Sequence, residues 1–168
     1  MHQQNYWVEL QSLKAHVIYL ELYQLRSESY ERWISIFLAV TSSASIGGWA
    51  LWKEYSMVWG AIIVASQVLS VVYKFLPFKS RIKPLSKTAL ELSELSDEAE
   101  KAWFDVASGE LTDKEINEKR FEIRASKAKI LRISLEGMVL PEIPKMMRKA
   151  EQQMCLYFNS YLVEETNE

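Results

Sequence analysis

Hydrophobic and polar positions follow three regimes along this chain. From residue 1 to residue 32, apolar side chains recur at Tyr6, Leu10, Leu13, Val17 and Leu20, in steps of 4, 3, 4 and 3. That spacing draws one apolar seam along an amphipathic helix. The next stretch, Trp33 to Trp52, has twenty residues and no Asp, Glu, Lys or Arg, and Tyr55 to Tyr73 adds nineteen more; only Lys53 and Glu54 stand between. At about 1.5 Å of rise per residue, each window reaches roughly 30 Å, the thickness of a bilayer's hydrocarbon core. The pattern predicts two spanning helices joined by a short turn, a transmembrane hairpin over residues 33–76. Trp33, Trp49, Trp52, Tyr55, Trp59 and Tyr73 lie near the window ends, where amphipathic rings form interfacial belts. The competing reading is two core helices of a soluble bundle, but helices of this length in a soluble protein normally carry a charged stripe.

Past Pro77 and Pro84 the helical period returns. Leu85, Ala89, Leu92, Ala99, Trp103 and Val106 fall three or four apart, with Ser96 at the one polar step. Gly109 is a natural stop. Thr112 and Glu115 then form a predicted capping box, with Leu111 and Ile116 as its hydrophobic staple. The helix that follows should run to Gly137, with Ile116, Ile123 and Ile130 on its apolar face. After Pro141 and Pro144, a last helix carries Met147, Ala150, Met154, Tyr157 and Tyr161. No segment reads as a strand. The expected fold is all-α: an amphipathic helix (1–32), the transmembrane hairpin (33–76), a cytoplasmic helical bundle (77–163) and a frayed tail (164–168).

Charge sets the orientation. Lys74, Lys79, Arg81, Lys83 and Lys87 fall in a run without an acid, and the turn at Lys53–Glu54 sums to zero. The positive-inside rule then puts both termini in the cytoplasm of a multi-pass cell-membrane protein. A signal peptide is not expected, because the first window begins at residue 33 with no short basic region before it. Residues 88–168 carry 11 cations and 17 anions, or −6, and the whole chain carries −2. That balance argues against direct DNA or RNA binding.

The candidate chemistry is sparse. One cysteine, Cys155, excludes an intramolecular disulfide and cysteine-based zinc clusters; it is expected to be a small buried hydrophobe. Two histidines, His2 and His16, leave little for a metal or triad site. Nucleotide loops, nucleophile elbows and metal motifs do not occur, so no enzyme, cofactor or metal is expected. Polar residues inside the windows are more informative. Thr41, Ser42, Ser45, Gln67 and Ser70 either line a water path in an oligomer or make interhelical contacts, since an amide in hydrocarbon needs a partner or water. Ala39, Ser43 and Gly47 on one window, and Ala61 and Ala65 on the other, form small-residue faces for close helix packing within the hairpin or between copies. On the helix after Thr112, Arg120, Arg124 and Lys127 share a face. They either complement the helix dipole or grip a phosphate-bearing ligand or acidic partner.

This layout of amphipathic arm, hairpin of residues 33–73, basic exit and cytoplasmic helices resembles the SLATT family of bacterial two-transmembrane-helix effectors. The resemblance covers most of the chain and implies an inner-membrane protein of an anti-phage or other conflict system. It implies an assembly of copies that breaches the bilayer in abortive infection, triggered by a cytosolic sensor or a nucleotide-synthesising partner. The resulting expectation is a pore-forming or membrane-perturbing homo-oligomer. The alternative is a non-conducting membrane anchor or scaffold that recruits a cytosolic enzyme.

Overall fold

The computed structural model describes the backbone of residues 1–51, 56–75, 78–136 and 138–164, and the side chains of these except 43–51, 56, 74–75, 78–80 and 161–164. Five helices account for most of it: α1 (His2–Leu51), α2 (Ser56–Phe75), α3 (Phe78–Ala107), α4 (Asp113–Ser134) and α5 (Pro144–Glu164). The chain is all-α, and no strand occurs among the described residues. The amphipathic arm and the first uncharged window are one continuous helix, α1. Two compact units emerge, one of Met1–Gln24 with Lys83–Glu168, the other of Leu25–Ile82.

The first unit has a conventional apolar core. The α1 seam is buried throughout at Tyr6, Leu10, Leu13, Val17 and Leu20, and meets Leu85, Ala89, Leu92, Ala99 and Val106 of α3. Buried apolar surface of this kind is the main stabilising term. Tyr6 donates to the carbonyl of Ala99, and Gln3 to that of Val106, each at 2.8 Å. These pairs make α1 and α3 antiparallel. Trp7 lies between Trp103 and Phe158, with ring centroids 4.8 Å apart in each pair, which brings α5 onto the same core. The Tyr19 hydroxyl donates to the Pro141 carbonyl and accepts from the Ile143 amide, fixing the segment between α4 and α5.

Helix ends follow local chemistry. Gly109 takes φ +78 just beyond α3, a conformation that side chains with a Cβ disfavour. Thr112 caps α4, and the reciprocal bonds with Glu115 complete the capping box. Hydrogen bonds from the Thr112 hydroxyl and amide hold the Glu115 carboxyl below its usual range. Two boundaries differ from the sequence expectation. The third helix starts at Phe78 and includes Pro84, rather than starting after it. Helix α4 ends at Ser134 with Leu135 as its C-cap, short of Gly137, which lies outside the described residues. On α5 the expected face turns inward, with Ala150 buried and Met154 and Tyr157 packed on the core, and Phe158 joins them; the Tyr161 side chain lies outside the described set. The tail 165–168 lies outside it as well.

The second unit holds the C-terminal part of α1 and α2, packed antiparallel. The Ser35 hydroxyl lies 3.4 Å from that of Tyr73, which donates to Glu31. Among the described residues no helix is long and apolar enough to cross a membrane. Of the two uncharged windows, the described side chains are Trp33–Ser42 and Met57–Tyr73. The window ends at 43–52 and 55–56 and the turn at 53–54 fall outside the described side chains.

Candidate functional site

In the second unit the usual relation of polarity to burial is reversed. Its buried side chains, among those described, are Ser27, Thr41 and Ser66, all hydroxyls. Its large apolar side chains face outward: Trp33 is 69% exposed, Met57 90%, and Ile36, Phe37, Val40, Val58, Val64, Val68, Val71 and Val72 are exposed as well. Contiguous apolar surface on this scale is rare in contact with water.

Thr41 and Ser66 lie along one groove of about 320 Å³ between α1 and α2, lined by Leu38, Ala39, Thr41, Ser42, Ile63, Ser66, Gln67 and Ser70. Four of the five polar residues singled out from the sequence thus meet on one surface: Thr41, Ser42, Gln67 and Ser70. The fifth, Ser45, lies outside the described side chains, as do Ser43 and Gly47. Thr41 donates to the carbonyls of Phe37 and Leu38, Ser42 to that of Ala39, and Ser66 to that of Ile63. These three hydroxyls therefore bond to carbonyls of their own helix. Gln67 sits at the groove with its side chain exposed.

The small-residue faces divide. Ala39 lines the groove, whereas Ala61 and Ala65 are exposed. On α2 the buried small residue is Ser66, next to the Ala61 and Ala65 spacing. A serine is small enough for close approach and can satisfy itself on the preceding turn.

The basic face of α4 is tied into the first unit. Arg124 donates to Glu9 of α1 through its Nε, and Glu9 is buried. Lys127 Nζ lies 3.2 Å from His16 Nδ1. Burial pushes the Lys127 ammonium below its usual pKa, aided by the nearby Arg124 charge and opposed by Glu9. Arg120 lies over the Phe121 ring, 5.1 Å from its centroid, and its buried Nε has no hydrogen-bond partner among the described residues. The three cations thus sit in different surroundings, and the Arg124 side chain is 54% exposed. Arg124 joins α4 to α1, and sequence spacing gave no sign of Glu9 as its partner. Cys155 is exposed, contrary to the buried role expected for it, because α5 turns its Ala150–Phe158 side to the core. Among the described residues no group of His, Cys, Asp or Glu could hold a metal ion. No protein-family model, curated protein or solved structure matches this chain.

Proposed function

We propose that this chain is a membrane effector of a bacterial conflict system. In this reading, copies assemble in the inner membrane and perturb or permeabilise it when a cytosolic partner or a nucleotide signal triggers them. The observation that carries the proposal is the reversed burial of the second unit. Apolar side chains turned outward around buried hydroxyls suit a hydrocarbon surrounding, where outward valines cost nothing and a hydroxyl without water bonds to its own helix. The two uncharged windows and the basic run after them agree with that surrounding. The resemblance to two-helix effectors supplies the biological setting.

A second reading, a non-conducting anchor that recruits a cytosolic enzyme, draws support from the groove itself. Thr41, Ser42 and Ser66 already bond to their own helices, so they need no water path. Membrane potential and dye entry, measured in cells expressing the chain with its neighbouring genes, separate the two. Depolarisation on activation, weakened by Gln67→Leu without loss of protein level, is the effector's outcome. Full activation with unchanged permeability refutes the effector and leaves the anchor. A chain that purifies from the aqueous fraction without detergent refutes both.

A further inference from the structure

From two surfaces of the first unit we infer that copies of this chain associate head to tail, the outward face of α5 on one copy seating in a groove between α3 and α4 on the next. This goes beyond the membrane reading and does not depend on it.

The receiving surface is a groove of about 380 Å³. Its floor is apolar, formed by Leu95, Ile130 and Ile133, and its rim carries Glu91, Glu94 and Glu98. Ile133 is 58% exposed, an aliphatic side chain left in the open. Glu91 is engaged by Lys87 and Ser134. Glu94 and Glu98 have no cation within ion-pair distance among the described residues, although Lys129 also lines the groove. They lie four apart on α3, where like charges repel along one helix face. The fold therefore holds two adjacent carboxylates beside exposed apolar surface without neutralising them.

The complementary surface is on α5. Its core side is fixed by Ala150 and Phe158. At 3.6 residues per turn, the opposite side presents Lys145, Arg148, Lys149, Gln152 and Leu156. Leu156 stands at the edge of that side, 69% exposed, where it also borders a groove with Val17 and Ile18 of α1. The three cations are exposed and have no carboxylate within ion-pair distance among the described residues. One surface thus offers carboxylates around an aliphatic floor, and the other offers cations followed by an aliphatic knob. The groove carries three carboxylates against one cation, Lys129, and the α5 face supplies the opposite charge. Because the two patches differ, the contact is heterologous, and repetition yields a closed ring or an open chain rather than an isologous pair. Opposed charge supplies register and encounter, and the aliphatic contact supplies the buried centre.

The test uses full-length chain in detergent micelles, with equal amounts of unlabelled and ¹⁵N-labelled protein mixed and treated with a carbodiimide, which joins carboxylates to amines. Expected are mixed-isotope peptides linking Glu94 or Glu98 to Lys145 or Lys149. Charge reversal at the groove (Glu94→Lys with Glu98→Lys) or at the face (Arg148→Glu with Lys149→Glu) should each weaken association by about tenfold or more. The two reversed proteins mixed together should associate again, and so should the fourfold variant alone. Helical content measured by circular dichroism identifies any variant that has not folded, and the cross-link on wild type stands without variants. Mixed-isotope links confined to other residues would overturn the proposal. So would reversed variants that fold and still associate like wild type, or charge-swapped pairs that fail to recover.

Discussion

Replacing Tyr6 by Phe removes one hydroxyl from a side chain with no exposed surface. That hydroxyl donates to the Ala99 carbonyl at 2.8 Å. The carbonyl lies inside α3 and keeps its helical acceptor role, so its loss orphans no buried group. The ring keeps its stacked contact with Trp103, at 6.1 Å between centroids. The cost is therefore the net value of one hydrogen bond, about 1 kcal/mol, and not the roughly 3–5 kcal/mol of deleting a buried ring. The pH dependence adds a second signature. Burial, and then the negative charges of Asp105 and Glu122, push the phenol up to about 12 from its ordinary 10.0. The folded chain holds the phenolic proton more tightly than the unfolded chain does. Stability linked to it is whole below pH 10 and is lost as the pH rises through about 12. The Phe variant has no such loss, so it should be less stable than wild type near neutral pH and draw level in that alkaline window. Urea unfolding followed by circular dichroism, in one detergent at both pH values, reads the gap. A variant as stable as wild type near neutrality, or a gap unchanged across the alkaline range, would refute the reasoning.

Arg124→Glu should destabilise the first unit by about 1–3 kcal/mol, since it places a second carboxylate beside buried Glu9. Adding Glu9→Lys should recover part of that in the same unfolding assay, and failure of the swap would show that the pair is incidental. Ser96 is fully buried, with no partner for its hydroxyl among the described residues. Ser96→Ala should raise the urea midpoint by the equivalent of about 1 kcal/mol, the relief of an unsatisfied group; a lowered midpoint would contradict this. Gly109→Ala forces a Cβ into a φ of +78 with open space around it, so strain alone should cost about 1 kcal/mol, visible as a lower melting temperature.

Periodicity reveals what a helix does to itself and to its core. The α1 and α3 seams, the Gly109 stop and the Thr112–Glu115 box all depend on residues within a few positions of one another, so the sequence carries them openly. Partners across long separations left no such trace. Glu9 for Arg124, and Pro141 for Tyr19, are set by how helices come together. The groove in the second unit is an intermediate case. Its polar residues could be chosen from the uncharged windows, since polarity is conspicuous there. Ser66 is conspicuous as a polar residue of the second window, but its part in the helix contact is decided by packing rather than by spacing.

A hydroxyl that has given its proton to the turn behind it keeps only lone pairs to show. Thr41, Ser42 and Ser66 are all in that condition, whereas the Gln67 amide on the same cleft still carries N–H donors. The lining therefore offers acceptors from three hydroxyls and donors from one amide, and Gln67→Leu would remove those amide donors.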